Sequence, residues 1–187
     1  MMTIFVVIAC HFKSETELCD TTIARLQKAL GMAWELSPEK PIFMVGGNVP
    51  YEKGGPTLQR LMKEWLVECG VEKYRIVFNE GTGTFSEGRE STRMLTALYA
   101  DKVFIVSSSW WLWSGMPVWR RFAKEHGLKI EATAVQKTGG WRTRLTYAAY
   151  AAVVYTAFLF GVSSFVEARL NAMQAKRLEG FTWNGCA

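Results

Sequence analysis

The chain has 187 residues, of which 49% are hydrophobic, and it carries a formal net charge of +5. This length fits one α/β domain with an appended element, and the apolar content is sufficient for a full core, which excludes a disordered chain. The charge is mild and the long basic runs of nucleic-acid-binding proteins are missing, so we expect no nucleic-acid partner.

The four cysteines indicate a reducing compartment. Cys10, Cys19, Cys69 and Cys186 form no CxxC pair, and none has a spacing to a histidine that suggests zinc. We therefore predict no metal site and a cytoplasmic protein, with Cys10 and Cys69 as small buried hydrophobic residues.

The first predicted strand runs from Thr3 to Cys10, because this stretch is a continuous apolar run with a β-branched core. Its end, Val7-Ile8-Ala9-Cys10, looks like a lipoprotein cleavage box. No basic residue precedes it, however, and the apolar run is too short for a signal peptide. Ser14 and Glu17 then stand in capping-box register, which predicts a helix that ends before Ser37-Pro38.

The next elements continue the alternation of strand and helix. Pro41–Val45 is the second predicted strand, and Gly46-Gly47-Asn48 opens a long loop after it. Thr57–Cys69 has the apolar spacing of an amphipathic helix. Tyr74–Phe78 is the third predicted strand.

A loop rich in glycine and hydroxyl residues follows the third strand, from Asn79 to Glu90. Thr84 and Glu87 stand in capping-box register, so a helix is predicted to begin at Phe85. Strand, loop and helix N-terminus together favour a site for an anion or polar ligand, because free backbone N–H groups and the helix dipole point into the loop. The alternative is that the glycines only turn the chain.

Lys102–Val106 is the fourth predicted strand, and Ser107, Ser108 and Ser109 open the loop after it. Trp110, Trp111 and Trp113, here called the tryptophan cluster, follow in the same loop. They either stack on a flat ligand or cover a helix start or a partner surface. A helix is predicted over Met116–His126, and an edge strand over Leu128–Val135.

This alternation predicts an α/β fold: a Rossmann-like three-layer sandwich with a five-stranded, mainly parallel sheet. Continuous apolar strands need cover on both faces, and the intervening helices supply it. The inner strands are predicted at Ile4–Ile8, Ile42–Val45, Ile76–Phe78 and Val103–Val106.

Residues 141–187 are predicted to form a C-terminal helical extension of a domain that covers residues 1–140. Leu145–Val166 has 22 residues without a charge, which is long enough to span a bilayer of about 30 Å. Many small and hydroxyl residues dilute it, which favours a helix packed on the domain, with membrane association as the alternative. The expected packing residues are Phe158, Leu159, Val162 and Val166.

The loops after the strands of an open parallel sheet meet at its carboxyl edge, where ligands bind. Glu80 is the candidate catalytic residue, because it lies just past a strand end. Cys10 and His11 are not expected to touch, since adjacent strand residues point to opposite faces. The predicted ligand-binding residues are Gly46, Gly47, Asn48, Glu80, Gly81, Thr82, Gly83, Thr84, Ser86, Glu87, Ser107, Ser108 and Ser109.

Several short motifs together resemble the YdcF/SanA/ElyC-like family of bacterial domains of unknown function. The resemblance covers roughly residues 3–135 and rests on Arg25-Leu26-Gln27-Lys28-Ala29, Val45-Gly46-Gly47, Leu61–Leu66 before Gly70-Val71, Glu80 ahead of Thr84-Phe85-Ser86-Glu87, and Val106-Ser107-Ser108 ahead of a helix. It implies a Rossmann-like fold, a pocket over the strand ends, S-adenosylmethionine as a ligand, and a link to the bacterial envelope. After the fourth strand the family carries a histidine and an arginine, where this chain has Trp111 and Ser114.

Two functions are compatible with these observations. The first is a small-molecule-binding α/β domain, whose ligand is nucleotide-like, S-adenosylmethionine-like or phosphorylated; whether it is an enzyme stays open. The second is a membrane-associated or protein-interaction module of the bacterial envelope with an eroded pocket. The strand-end loops with Gly46, Gly47, Gly81 and Gly83 favour the first, which is the function predicted here. Leu145–Val166, the tryptophan cluster and the missing family histidine favour the second, which is the alternative.

Overall fold

The computed structural model describes residues 2–52, 54–135, 141–160, 164–166, 168–169 and 172. Its elements in chain order are β1 (Thr3–Val7), β2 (Phe12–Ser14), β3 (Glu17–Leu18), α1 (Asp20–Leu36), β4 (Ile42–Val45), α2 (Leu58–Glu68), a 3-10 turn (Lys73–Arg75), β5 (Ile76–Phe78), α3 (Thr84–Ala97), β6 (Lys102–Ser108), α4 (Ser109–Glu125), β7 (Ile130–Val135) and α5 (Trp141–Leu159).

Five strands form one sheet in the order β5-β4-β1-β6-β7, and every pairing in it is parallel. Ile4 lies between Ile42 of β4 and Val103 of β6, which sets the register of the centre. The predicted α/β fold with a five-stranded parallel sheet is confirmed. The prediction of Ile76–Phe78 as an inner strand is wrong, because β5 lies at the edge of the sheet and, within the described part of the chain, pairs only with β4.

Two hydrophobic cores lie on the two faces of the sheet. Successive residues of β1 alternate between them, with Phe5 in the core under α1 and α2, and Ile4 in the core under α3, α4 and α5. Cover on both faces explains why the whole of β1 is apolar and buried. After β1 the chain forms β4 and β5 on one side of β1, and it then crosses over to form β6 and β7 on the other side. The topological switch point therefore lies between β1 and β6.

The region after β1 differs from the sequence prediction. β1 ends at Val7, and residues 12–18 form a small antiparallel hairpin of β2 and β3. Ser14 and Glu17 pair across this hairpin and do not cap a helix; α1 begins at Asp20, with Cys19 as its N-cap residue. Phe12 and Leu18 are paired across the hairpin and both are buried. This cross-strand apolar contact explains why the segment forms a hairpin.

The region after β6 also differs. β6 continues to Ser108, so that Ser107 and Ser108 belong to the strand, and α4 begins directly at Ser109. The tryptophan cluster is therefore helical. Trp111 is buried and Trp113 is exposed, as expected for two residues on different faces of a helix.

Helix α5 packs on the domain through small and β-branched residues. Ala151, Val154 and Ala157 are buried, with a spacing of three residues that places them on one face. The predicted packing residues differ: Val166 is half-buried, and the side chains of Phe158, Leu159 and Val162 lie outside the described residues. In the part of the chain described here, no helix has the length and apolarity to cross a bilayer.

We predict that the side chains on the buried face of α5 contribute to the free energy of unfolding and that those on its exposed face do not. Val154 is 0% exposed and its neighbour Val153 is 49% exposed, so Val154→Ala and Val153→Ala make the same chemical change in the same helix. Val154→Ala should lower the free energy of unfolding by about 1.5–3 kcal/mol relative to Val153→Ala, measured by urea denaturation. Equal stabilities of the two variants would contradict this packing.

Candidate functional site

The carboxyl ends of three parallel strands bring the predicted site residues to one edge of the sheet. Gly46 and Gly47 follow β4, Asn79 follows β5, and Ser107 and Ser108 end β6. Both glycines and both serines are buried. A ligand that approaches this edge therefore meets the more exposed neighbours first, which include Asn48, Glu80, Thr82 and Ser109.

Arg25 of α1 lies under this edge and is 0% exposed. Its Nη1 donates to the carbonyl oxygens of Ile8 at 2.7 Å and Ala9 at 2.9 Å. Its Nε and Nη2 both donate to Ser108 Oγ, at 3.3 Å and 2.9 Å. The guanidinium thus joins the chain after β1 to the end of β6, at the topological switch point.

The environment of Arg25 compensates for the burial of its charge. Burial lowers the pKa of Arg25, while the neighbouring groups of Cys10, Tyr147, Cys19 and Glu87 act in the opposite direction. The guanidinium also lies over the Trp110 ring, 5.4 Å from its centroid. An arginine is too basic to lose its proton at neutral pH, so this edge holds a fixed positive charge.

Helix α5 covers part of the same edge. The ring of Tyr147 lies 4.0 Å from that of Trp110, centroid to centroid, with the two planes tilted by 42°. Tyr150 forms a hydrogen bond with Thr84 of α3. Burial raises the pKa of the Tyr150 hydroxyl, and the charge of Glu87 raises it further.

Glu87 of α3 is the buried carboxyl group of the site. Its Oε1 accepts a hydrogen bond from the Gly47 backbone N–H at 2.9 Å, across the edge of the sheet. A Cβ on Gly46 would lie 2.9 Å from the same oxygen, so glycine is needed there for the carboxyl to enter. Burial raises the pKa of Glu87 to about 7, against the lowering effects of the Gly47 N–H and of Arg25.

The predicted capping box at Thr84 and Glu87 is wrong. The helix begins at Thr84, with Gly83 as its N-cap residue, and Ser86 Oγ accepts from the backbone N–H groups of Thr82 and Gly83, both at 3.1 Å. Ser86 therefore takes the capping role, and Glu87 turns inward to Gly47 because the next position of the helix faces the sheet.

Asn79 organises the loop before α3. Its Nδ2 donates to the carbonyl of Glu87 and to Ser91 Oγ, and its Oδ1 accepts from the Gly81 N–H at 2.7 Å. A Cβ on Gly81 would clash with the backbone of Ser86 and Glu87. This close approach explains the glycine at position 81, which the sequence analysis assigned to ligand access.

Glu80, the candidate catalytic residue, has an exposed side chain. Its backbone carbonyl accepts from Asn48 Nδ2 at 3.2 Å, and Asn48 Oδ1 accepts from Gln59 Nε2 at 3.0 Å. The buried carboxyl group over the strand ends is Glu87. The catalytic role of Glu80 stays a prediction.

Cys10, His11 and Cys19 lie close together beside Arg25, although the sequence prediction placed Cys10 and His11 on opposite faces of a strand. One ligand atom of each of the three residues lies within 4.8 Å of the other two. The prediction assumed that both residues belong to β1, but β1 ends at Val7. Cys10 is also only half-buried and Cys69 is exposed, so neither is the buried hydrophobic residue that was expected.

The two thiols are unequal. A hydrogen bond between Cys10 and Cys19 lowers the pKa of the Cys19 thiol to about 4 and raises that of Cys10. Thr22 holds the pair in place, because its Oγ1 lies 3.4 Å from Cys19 Sγ and accepts from the Cys10 N–H at 3.0 Å. Cys186 lies outside the described residues.

Sequence reasoning missed the role of Arg25, although a signal was present. Thr22, Arg25, Leu26, Ala29 and Ala33 form the buried stripe of α1. An arginine in the apolar stripe of an amphipathic helix requires a buried partner, which points to a polar site beneath the helix.

Two surface cavities lie away from this edge. One, of about 330 Å³, lies between the β2–β3 hairpin, the start of α1 and α2. The other, of about 530 Å³, is lined by Met2, Lys40, Ile42, Tyr74 and Arg75.

Comparisons of the chain with protein-family models, with curated proteins and with solved structures found no match. The geometry of the site therefore carries the functional argument.

We predict that Glu87 makes the stability of the fold depend on pH. The pKa of Glu87 in the folded chain is about 7, above its ordinary value of 4.5. Between these two values the folded chain keeps a proton that the unfolded chain has lost, so the free energy of unfolding should fall as the pH rises from 4.5 to 7 and then level off. The expected size is on the order of 3 kcal/mol.

Glu87→Gln should remove this fall, which urea denaturation at a series of pH values measures. Glu90→Gln is the matched control, because Glu90 is on the same helix and pairs with Arg93 at the surface. Superimposable pH profiles for the wild-type chain and Glu87→Gln would exclude a raised pKa at Glu87.

Proposed function

We propose that this chain binds a small anionic ligand, of the nucleotide-like or phosphorylated class, at the carboxyl edge of its sheet. The observation that carries the proposal is the meeting of two positive features at Ser108, between β1 and β6. Arg25 donates to Ser108 Oγ from one side, and the 17-residue helix α4 begins directly after it.

The N-terminus of α4 is suited to an anion. Its N-cap residue Ser108 makes no side-chain capping hydrogen bond, because its hydroxyl is engaged by Arg25. The backbone N–H groups of the first turn and the helix dipole both favour negative charge. Ser109, the first residue of the helix, is exposed and marks the place where a ligand enters.

The buried hydroxyl of Ser107 adds a second support. Ser107 Oγ has no hydrogen-bond partner among the described residues, although the residue is fully buried at the end of β6. Buried hydroxyl groups normally have a partner, and a bound ligand or water can supply one here. Asn48, Thr82 and Glu80 on the other side of the edge offer further groups for a polar ligand.

The family resemblance supports a particular set of candidate ligands. Under the proposal, the chain is a divergent, Rossmann-like relative of the YdcF/SanA/ElyC-like family, and S-adenosylmethionine belongs in the panel with nucleotides and sugar phosphates. Glu80 would accept from a ribose or sugar hydroxyl. Trp111 and Ser114 replace the histidine and arginine of the family, so the proposal is for binding and names no reaction.

A second candidate is an interaction module, which the outer face of the C-terminal region favours. Phe160 is 77% exposed and Phe165 is 71% exposed, and Leu145 and Tyr155 are exposed as well. Exposed apolar side chains in such number favour a partner or a membrane surface. A ligand panel without any response would favour this function over the first.

We predict that a negative charge at Ser109 abolishes ligand binding without loss of fold. Ser109→Asp places a carboxylate at the first position of α4, where it interacts favourably with the helix dipole but repels an anion. Ser109→Asn is the matched control, because asparagine has the size of aspartate but carries no charge. The measurement is thermal shift with nucleotides and sugar phosphates, whose phosphate groups the aspartate repels, and with S-adenosylmethionine, whose only anionic group is its carboxylate.

A ligand at 100 times its dissociation constant should stabilise the wild-type chain by about 2.7 kcal/mol. The shift should persist in Ser109→Asn and disappear in Ser109→Asp. A ligand that stabilises both variants equally would place its site away from the start of α4, for instance in the cavity beside Lys40 and Arg75.

A further inference from the structure

The β2–β3 hairpin brings three residues that can bind a metal, two cysteines and one histidine, close together. Cys10 and His11 lie between β1 and β2, and Cys19 immediately precedes α1. The hairpin returns the chain so that the Cys19 N–H donates to the His11 carbonyl at 3.3 Å, while Phe12 faces Leu18. As a result, two sulfur atoms and one imidazole nitrogen lie within 4.8 Å of one another.

The composition of this cluster selects the metal. Thiolate and imidazole ligands suit Zn²⁺, whereas Mg²⁺ and Ca²⁺ take oxygen ligands. With Zn–S bonds of about 2.3 Å and Zn–N bonds of about 2.0 Å, the ligand atoms of a tetrahedral site lie about 3.5–3.8 Å apart, so the cluster needs to contract by no more than about 1.3 Å. Two thiolates, one Zn²⁺ and a neutral imidazole sum to zero charge, so a metal adds no net charge beside the buried Arg25.

The surroundings hold the ligands in place. Thr22 is fully buried, and its Oγ1 contacts both Cys19 Sγ and the Cys10 N–H. Cys19 lies at the N-terminus of the 17-residue helix α1, where the dipole favours a thiolate. Arg25 fixes the chain just before Cys10 by its bonds to the carbonyls of Ile8 and Ala9.

We propose that Cys10, His11 and Cys19 bind one Zn²⁺ ion with three protein ligands. Three protein ligands leave a fourth coordination position, the arrangement found in catalytic rather than structural zinc sites. Cys10 and His11 are only half-buried, so solvent or a ligand atom reaches that position. The zinc site stands on its own geometry and does not depend on the anion site at Ser109.

The test is a zinc titration of the full chain. The protein is purified under reducing conditions, stripped of metal with a chelator, and titrated with Zn²⁺ against a chromophoric competitor. We expect one Zn²⁺ per chain. Co²⁺ as a probe should give thiolate-to-metal charge transfer and the d–d absorption of tetrahedral coordination.

Cys10→Ser, Cys19→Ser and His11→Asn should each lower the zinc affinity at least roughly tenfold, since even the loss of an outer-shell partner has an effect of that size. Cys69→Ser and Cys186→Ser are the controls and should bind as the wild-type chain does. Circular dichroism checks that each variant is folded. Cys19 is buried, so Cys19→Ser could prevent folding. In that case the zinc affinity of His11→Asn decides the test, because His11 is only half-buried.

Two results would overturn the zinc site. One is a wild-type chain that binds no Zn²⁺ while its cysteines are reduced. This includes a chain that binds no Zn²⁺ when reduced and forms a Cys10–Cys19 disulfide when it is later oxidised. The other is an unchanged affinity in folded His11→Asn and Cys19→Ser. Neither result affects the thermal shift expected from Ser109→Asp, so the two proposals fail independently.

Discussion

One buried guanidinium holds together the ends of the two central strands. Arg25 reaches from α1 to the carbonyls of Ile8 and Ala9 and to the hydroxyl of Ser108, and it makes all these contacts without exposure to solvent. Removing a charge from water costs several kcal/mol, so such a group persists only where its donors are satisfied and opposite charge is near. The end of β6, the start of α4 and the chain after β1 must therefore keep one arrangement, and the candidate sites are built on it.

Around Arg25, burial separates the groups that build the edge from those that a ligand can touch. The buried groups Glu87, Asn79 and Ser108 hold the loops through hydrogen bonds, while Ser109, Asn48 and Glu80 are more exposed. Glu87 reaches the edge from the opposite face of the sheet to Arg25. Helix α5 lies beside the edge as well, with Tyr147 against Trp110 and Tyr150 next to Thr84.

The sequence predicts the sheet better than the site, for a physical reason. A strand that is buried on both faces, such as Ile42–Val45, is recognised from its own apolar residues, so one stretch of sequence is enough to predict it. The site depends on contacts between distant segments: Arg25 with Ser108, Gly47 with Glu87, and Cys10 with Cys19. The hairpin after β1 was missed because Ser14 and Glu17 fit a helix cap equally well. The role of Ser86 was missed because Thr84 and Glu87 present the more familiar spacing.

Hydrogen exchange of Arg25→Lys tests whether one guanidinium joins these strand ends, because lysine keeps the charge but cannot reach two carbonyls and a hydroxyl at once. We expect faster amide exchange in residues 8–11 and 107–111, with the opposite ends of β1 and β6, near Thr3 and Lys102, still protected as in the wild-type chain. Exchange that is unchanged at residues 8–11 and 107–111, or accelerated evenly over the whole sheet, would contradict the claim that Arg25 joins these two strand ends.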